Sequence, residues 1–262
     1  MIFLLTAFFM PNHYFQFKQF TVQQEKAALK VSTDSCLFGA WVAKEVRSKR
    51  YEVRSAGTPL TTHHSPLAIL DIGAGTGLLM LMLAQKNNAM IDGIEIDEPS
   101  YDQAKENCAA SVWEDRLQLF HADVKQFNFS KKYDLILSNP PFYEGDLKSG
   151  TANRNVAMHD AGLKLDELVA VVAANLADDG RFAVLLPYAR ASYMIALAAA
   201  ANLHLQKHVQ VKQSLKHGYF RSMLLFTRIK TEAVVEELAI KDENNVYSAA
   251  FVSLLKDYYL YL

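Results

Sequence analysis

Short apolar runs alternate with segments of helical spacing along most of the chain. The runs predict strands at 67–72, 89–95, 116–121, 133–138, 181–186, 205–212 and 223–230. The intervening segments predict helices at 78–86, 99–111, 164–177, 189–201 and 248–259, with Gly180 as the left-handed cap of the third. Such repeated units favour an α/β fold with a mostly parallel sheet and helices on both faces. The last two strands have no helix between them, so we expect an antiparallel pair at one edge.

The chain of 262 residues is expected to form a single domain. An N-terminal helical extension is predicted at about 12–50, with helices at 23–31 and 35–47, before a core at about 66–230 and a tail at about 231–262. Residues 231–246 are acidic and predict no definite element. Residues 1–9 are apolar but too short to span a bilayer, and they lack the basic region and cleavage site of a secretory signal. We expect Met10 to be the native start, or residues 1–9 to be a short extension.

The composition is that of an ordinary globular protein, with 51% hydrophobic and 21% charged residues. It excludes a disordered or collagen-like chain. Cys36 and Cys108 are the only cysteines and form no CxxC motif, which disfavours zinc and dithiol chemistry and favours a reducing compartment. The net charge of −1 provides no overall attraction to nucleic acid or membrane. We therefore predict a cytoplasmic monomer without a metal ion or membrane contact.

A glycine-rich turn, Asp71-Ile-Gly73-Ala-Gly75-Thr-Gly77, follows the first core strand and opens a helix. Glycines allow a tight turn and a close approach of the backbone to a ligand. The dinucleotide fingerprint would need glycine where Leu78 stands, and a phosphate loop would need Gly-Lys-Ser/Thr. Because Asp71 adds negative charge, the turn favours a nucleoside with an ammonium or sulfonium group over a pyrophosphate.

Two further acids follow the next two predicted strands. Glu95 closes the second strand, near the offset at which a carboxylate reaches ribose hydroxyls. Asp123 follows the third strand and could accept a hydrogen bond from an adenine amino group. Either acid alone is typical of a cap or turn, but carboxyl ends of neighbouring parallel strands meet in one crevice. We therefore predict that Asp71, Glu95 and Asp123 share a nucleoside-binding site.

The sequence Ser138-Asn139-Pro140-Pro141-Phe142 follows the fourth core strand. The prolines stiffen the backbone and restrict Asn139, so the segment is predicted to be a rigid shelf beside the glycine turn. The Asn139 side-chain oxygen and the Pro140 carbonyl could each accept one N–H of a planar amino group and free its lone pair for attack. Phe142 could stack on a flipped base. The alternative is a plain loop whose prolines end a strand.

These motifs resemble class I S-adenosylmethionine-dependent methyltransferases of the Asn-Pro-Pro-aromatic type, over almost the whole chain. Phe17-Lys-Gln-Phe20, Ala27 to Asp34 and Gly39-Ala40-Trp41 are similar to the opening of the bacterial tRNA(Val) adenine-N6 methyltransferases. Tyr247 to Phe251 and Lys256 to Leu260 are similar to their ending. Ser35 departs from the pattern, which has glycine after the Thr-Asp pair.

The resemblance implies a Rossmann-like class I methyltransferase sheet, S-adenosylmethionine as cofactor and a tRNA adenosine beside the anticodon as substrate. The implied cofactor-binding residues are Asp71, Gly73, Gly75, Gly77, Glu95, Asp123 and Asn139. The implied catalytic residues are Asn139, Pro140 and Phe142, and Pro141 and Phe142 contact the target base. The same shelf is also typical of protein glutamine and rRNA N-methyltransferases. Less favoured alternatives are an NAD-dependent oxidoreductase and a catalytically silent RNA-binding module.

Positive charge is concentrated locally although the total is near neutral. Residues 204–230 contain six basic residues and no acid: Lys207, Lys212, Lys216, Arg221, Arg228 and Lys230. With Tyr219 and Phe220 interleaved, this segment favours contact with an RNA backbone, and we predict Lys212, Lys216 and Arg221 as substrate-binding residues. The alternative is a solvated hairpin balanced by acids elsewhere. Lys148 and Arg154, in the long loop 143–163, could also contact phosphates, whereas the His159-Asp160 pair is not required as a base.

Overall fold

The computed structural model describes residues 12–52, 66–141 and 163–262, which form ten strands and six helices. The strands are β1 (Tyr14–Gln16), β2 (Thr21–Gln23), β3 (Ala68–Ile72), β4 (Met90–Glu95), β5 (Leu117–His121), β6 (Tyr133–Ser138), β7 (Leu176–Pro187), β8 (His204–Ser214), β9 (Tyr219–Thr227) and β10 (Val234–Lys241). The helices are α1 (Thr33–Glu52), α2 (Leu78–Ala84), α3 (Glu98–Ala109), α4 (Leu165–Asn175), α5 (Ala191–Ala200) and α6 (Ala249–Leu255). The predictions for Met10, Phe142, Lys148, Arg154, His159 and Asp160 lie outside the described residues.

Eight strands form one sheet in the order β10-β8-β9-β7-β6-β3-β4-β5. The strands from β7 to β5 are parallel neighbours, and β9 is antiparallel to both β7 and β8. The predicted α/β architecture with an antiparallel pair is therefore confirmed. The outermost strand, however, is β10, which pairs in parallel with β8 and comes from the acidic segment that predicted no definite element.

Apolar side chains cover both faces of the sheet. On one face, Ile69, Leu137 and Met223 pack with the buried residues of α1, α2 and α6. On the other face, Leu70 and Phe182 pack with the buried residues of α4 and α5. Alternate residues of the central strands thus face opposite helical layers, as expected when a parallel sheet is covered on both sides.

The predicted helix at 23–31 is wrong, and the extension at 12–50 is therefore only partly helical. Residues 14–23 form the hairpin β1–β2 and residues 24–32 are irregular, whereas the predicted helix 35–47 lies within α1. The predicted cap at Gly180 is also wrong. α4 ends at Asn175 and Gly180 lies inside β7, where a Cβ atom would lie 2.9 Å from the Ala177 carbonyl oxygen. Close packing therefore explains Gly180.

The N-terminal hairpin packs against the last residues of the chain. Phe17 forms a bridge with Tyr259, and the Lys18 amide donates to the Tyr258 carbonyl at 2.8 Å. The Tyr258 hydroxyl in turn donates to the Met82 carbonyl of α2 at 3.1 Å. The two ends thereby join one cluster beside the sheet. No helix among the described residues has both the length and the apolar character needed to cross a membrane.

Candidate functional site

Four parallel strands end on one line at the same edge of the sheet. Ile72 of β3 pairs with Ile94 of β4 and Ser138 of β6, and Ile94 pairs with Phe120 of β5. The residues that follow this line include Gly73, Glu95 and Asn139, on strands about 4.8 Å from their neighbours. Asp71 precedes the line by one residue and Asp123 follows β5 by two residues. The register thus brings the sequence-predicted residues of the four strands to one edge, which we call the site edge.

The glycine turn is shaped by three left-handed residues. Gly73, Gly75 and Gly77 have φ values of 77°, 55° and 78°. A Cβ atom on Gly73 or Gly75 would meet nothing within 4 Å, so the space beside both residues is open. At Gly77 a Cβ atom would lie 3.5 Å from the Cα atom of Ala104 in α3. The glycines therefore supply the turn, an open cradle and a close contact with α3.

Asp71 is a buried carboxylate without a hydrogen-bond partner among the described residues. Its side chain is 0% exposed and both of its oxygen atoms are unpaired. Burial, followed by the negative charge of nearby Glu95, raises the pKa of Asp71 well above its ordinary value. Such a group requires a cation or a set of donors to be stable in its charged form.

Glu95 holds the glycine turn against the end of β4. Its Oε2 atom accepts from the Gly75 amide at 2.8 Å, and its Oε1 atom accepts from the Asp97 amide at 2.9 Å. Asp97 itself caps α3 by accepting from the Ser100 amide at 3.0 Å. Of these two neighbouring acids, Glu95 therefore contacts the glycine turn and Asp97 the start of a helix. The role of Glu95 in ribose binding stays a prediction.

The site edge also carries an exposed apolar side chain to which no sequence motif pointed. Ile96 follows β4 and is 59% exposed, although it is apolar. Its carbonyl lies 3.1 Å from Nε2 of His121, whose ring stacks on Tyr101 at 5.3 Å. Asp123, two residues after His121, is half-buried, and its Oδ1 atom accepts a hydrogen bond from the Lys125 amide at 2.9 Å. The sequence signal for this exposed side chain is an apolar residue directly between two acids, Glu-Ile-Asp, at the end of a strand.

The predicted shelf begins beside the glycine turn. The buried Ser138 hydroxyl donates to the Ile72 carbonyl at 2.8 Å and joins the ends of β6 and β3. Asn139 is half-buried, Pro140 is buried and Pro141 is exposed. Pro140 is therefore packed into the fold. Asn139 directly follows Ser138, the strand residue that the hydrogen bond to β3 holds in place.

Asn107 connects the N-terminal hairpin to the glycine turn, although no sequence motif pointed to this residue. Its Nδ2 atom donates to the Thr76 carbonyl at 2.9 Å and to the Gln23 carbonyl at 2.8 Å. Its Oδ1 atom accepts from the Gln23 amide at 2.9 Å. Gln103 and Ser100, on the same face of α3, accept from the amides of residues 26 and 28. The irregular segment after β2 is therefore bound along α3.

Three of the six cations in the basic segment 204–230 pair with acids from other elements. Lys212 pairs with Glu237 of β10 at 2.9 Å, and Arg221 pairs through Nε with Asp34 of α1 at 2.7 Å. Lys216 is exposed in the turn between β8 and β9. Because β7 is parallel to β6 and its last residue, Pro187, pairs with Arg221 near the start of β9, the turn between β8 and β9 lies at the site edge.

The remaining cations of this segment lie toward the opposite end of the hairpin. Lys207 pairs with Glu45 at 2.9 Å, Arg228 donates to the Ala173 carbonyl, and Lys230 is exposed beyond the end of β9. Within the described ranges, no group of His, Cys, Asp and Glu side chains is arranged to hold a metal ion. Cys36 and Cys108 are free and buried, and burial raises the pKa of both thiols to about 12.

Comparisons with known proteins agree with this arrangement. A family profile described as methyltransferase small domain matches residues 58–184. The tRNA1(Val) (adenine(37)-N6)-methyltransferase of Flavobacterium johnsoniae is 39% identical over 250 residues, covering 94% of this chain and 99% of the relative. The protein of the same name from Pectobacterium carotovorum is 38% identical over 252 residues, covering 95% and 94%.

The fold is also found among solved structures. A predicted O-methyltransferase from Agrobacterium tumefaciens superimposes with a TM-score of 0.56 at 13% identity, over 76% of this chain and 92% of that one. At this level of identity the likeness concerns the fold alone.

Proposed function

The chain belongs to the tRNA1(Val) (adenine(37)-N6)-methyltransferase family, and from this membership we propose that it methylates the exocyclic N6 of an adenosine in tRNA. The relatives' name indicates adenosine 37 of a valine tRNA as the target. The geometric observation that supports the proposal is the position of Asn139 beside the glycine turn. The amide to which we assign base binding and the loop to which we assign cofactor binding follow two paired strands at one edge of the sheet.

The residues at the site edge fit S-adenosylmethionine, the cofactor of this family. The unpaired, buried Asp71 carboxylate needs a positive partner, and the cofactor carries both an ammonium and a sulfonium group. The open cradle beside Gly73 and Gly75 leaves room for a ligand against the backbone. When bound, the cofactor supplies an electrophilic methyl group. Glu95 keeps the turn in place through the Gly75 amide.

Asn139 and Pro140 provide the acceptors for the amino group that is to be methylated. We assign the Asn139 Oδ1 atom and the Pro140 carbonyl to the two N6 protons, so that the nitrogen lone pair points away from the shelf. The strand-end hydrogen bond of Ser138 and the buried ring of Pro140 hold both acceptors before substrate binds. Such preorganised acceptors cost no reorganisation during the reaction. Pro141 and Phe142 stay predicted contacts of the base.

RNA contact is assigned to the site-edge end of the hairpin β8–β9. Lys216 is exposed there, whereas Lys212 and Arg221 share their charge with Glu237 and Asp34. We therefore propose Lys216 as the main phosphate contact among the three predicted residues. Lys212 and Arg221 contribute to the same surface while they remain in ion pairs. We further propose that the protein acts as a cytoplasmic monomer.

The decisive experiment is methyl transfer from labelled S-adenosylmethionine to bulk tRNA taken from a strain that lacks this gene. Digestion and mass spectrometry should show one new N6-methyladenosine, at adenosine 37 of valine tRNA. Release factors serve as the second substrate, because protein glutamine methyltransferases use a similar shelf. Label in protein but not in tRNA would overturn the proposed substrate.

A matched pair of variants tests the shelf. Asn139→Ala should lower kcat about 100-fold or more, because one preorganised contact of this kind contributes ~3 kcal/mol, while cofactor affinity stays the same. Asn88→Ala is the control, since Asn88 is an exposed amide before β4 at the opposite edge of the sheet. Equal rates for the two variants would remove Asn139 from the mechanism.

A further inference from the structure

The strand next to the shelf ends in an exposed aromatic side chain that the proposed chemistry does not use. β7 pairs with β6 through Val184 and Ser138 and ends at Pro187, and Tyr188 follows directly. Since Asn139 lies opposite Leu185, the rise and spacing of strands place Tyr188 on the order of 10 Å from Asn139, one strand to the side and three residues further along the strand direction. Tyr188 is 37% exposed, although it lies in the short connection between β7 and α5.

Two aromatic neighbours support the Tyr188 ring. The ring of Tyr219, from β9, lies 4.9 Å from it at an angle of 34°. The ring of His208, from β8, lies 6.4 Å away at 25°. His208 is buried and its Nε2 atom lies 2.9 Å from the Ser222 hydroxyl, while the Tyr219 hydroxyl donates to Glu237. Because both neighbours have polar partners of their own, the Tyr188 ring rests on a fixed base.

Positive charge lies close to this group of rings. The Lys212 ammonium is 4.5 Å from the centre of the Tyr219 ring and also pairs with Glu237. Lys216 is exposed in the turn between β8 and β9, at the same edge of the sheet. An exposed ring beside a cation is the combination that binds single-stranded nucleic acid, since bases stack on the ring and phosphates contact the cation.

We propose that Tyr188 is the stacking platform for an unpaired base that neighbours the target adenosine, with Lys216 on the adjoining phosphate. An adenosine that leaves its stack to reach Asn139 exposes the faces of its neighbours, and the platform covers one of them. This inference rests on the proposed function, because it requires an RNA loop at the shelf. It adds a contact that positions the loop without touching the reacting atoms.

Three variants at exposed tyrosines separate stacking from packing. Tyr188→Leu keeps an apolar side chain but removes the ring, and it should lower kcat/KM for tRNA about 10- to 100-fold, mainly through KM. Tyr188→Phe keeps the ring and should stay within about threefold of the wild type. Tyr261→Leu is the control, because Tyr261 is 94% exposed near the end of the chain. The KM for S-adenosylmethionine should be equal in all three.

A binding measurement that needs no turnover completes the test. 2-Aminopurine is placed in an anticodon stem-loop RNA on either side of the target adenosine, one position at a time. The wild-type protein and Tyr188→Phe should quench one of the two positions, and Tyr188→Leu should not.

The combined results separate the platform from the reaction. Methylation of tRNA with equal kcat/KM for the Leu and Phe variants would overturn the platform alone. If quenching of 2-aminopurine depends on Tyr188 but no tRNA is methylated, the proposed reaction is overturned and the stacking platform is supported. Absence of both would overturn the two proposals together.

Discussion

Replacing Asp71 with Asn should make the cofactor-free protein more stable and the cofactor weaker. The Asp71 carboxylate is fully buried, has no partner among the described residues and lies close to Glu95. Its pKa is therefore raised in the folded state, first by burial and then by Glu95. A carboxyl group with a raised pKa makes its full contribution to stability when it is protonated, below its unfolded-state pKa of about 3.9. This contribution is lost as the pH rises through the folded-state pKa.

The change in the free energy of unfolding depends on what the carboxylate costs in the wild type and what the amide costs in the variant. While Asp71 titrates, the free energy of unfolding falls by up to about 1.4 kcal/mol per pH unit, and Asn removes this slope. Above that range Asn avoids an unpaired buried charge, which costs several kcal/mol, but leaves an unpaired amide that costs about 1–3 kcal/mol. A net gain of about 1–2 kcal/mol corresponds to a rise in Tm of roughly 3–6 °C. Cofactor affinity should fall about 10- to 100-fold, because a charged hydrogen bond is lost.

The assay is thermal unfolding from about pH 5 to about pH 9, with and without S-adenosylhomocysteine, for the wild type and two variants. Asp92→Asn is the matched control, because Asp92 is a buried carboxylate one strand away whose Oδ2 atom accepts from Tyr133 and Lys131 at 2.8 Å. That variant should be less stable than the wild type. Loss of stability in Asp71→Asn with an unchanged pH slope would show that the Asp71 carboxylate is well paired and would refute the reasoning.

Three further outcomes are expected. Lys216→Ala should weaken tRNA binding and lower the slope of log K against log salt by about 0.7–0.9, whereas Lys230→Ala at the other end of the hairpin should not; equal slopes would contradict the assigned surface. Gly93→Ala should cost about 1–3 kcal/mol of stability, because its Cβ atom would lie 2.5–3.1 Å from three neighbours, and Gly218→Ala, with nothing within 4 Å, is the control in the same denaturant titration. Asn107→Ala should raise the KM for S-adenosylmethionine more than that for tRNA, since it frees the Thr76 carbonyl of the glycine turn; a change confined to Tm would assign Asn107 a structural role only.

The strand ends were predictable because periodicity and chain order determine them. Glu95, Asn139 and the glycine turn each follow an apolar run, and in a parallel sheet such positions share one edge. The segment 23–31 was not predictable in this way. Its Ala-Ala-Leu-Lys stretch favours a helix, but side chains of α3 bind its backbone, and these tertiary contacts override local propensity.

Contacts between residues far apart in the sequence explain the remaining differences between the predicted and the observed structure. The six cations of 204–230 are close in sequence, but Lys212 finds its acid 25 residues away and Arg221 finds its acid 187 residues away. A count along the chain therefore overstates the positive charge that is available to a nucleic acid. β10 carries mixed apolar and acidic residues because it is an edge strand, with Glu236 and Glu237 exposed.

The bridge between Phe17 and Tyr259 has a consequence for biosynthesis. During synthesis, the contact of the hairpin with Asn107 becomes available long before residues 258 and 259, against which Phe17 and Lys18 pack, have been translated. Contacts of such large sequence separation form late and slowly, so the packing of the hairpin is completed only after Tyr259 has been made. Because Asn107 links the same hairpin to the glycine turn, we expect newly made molecules to bind the methyl donor tightly only once both sets of contacts are in place.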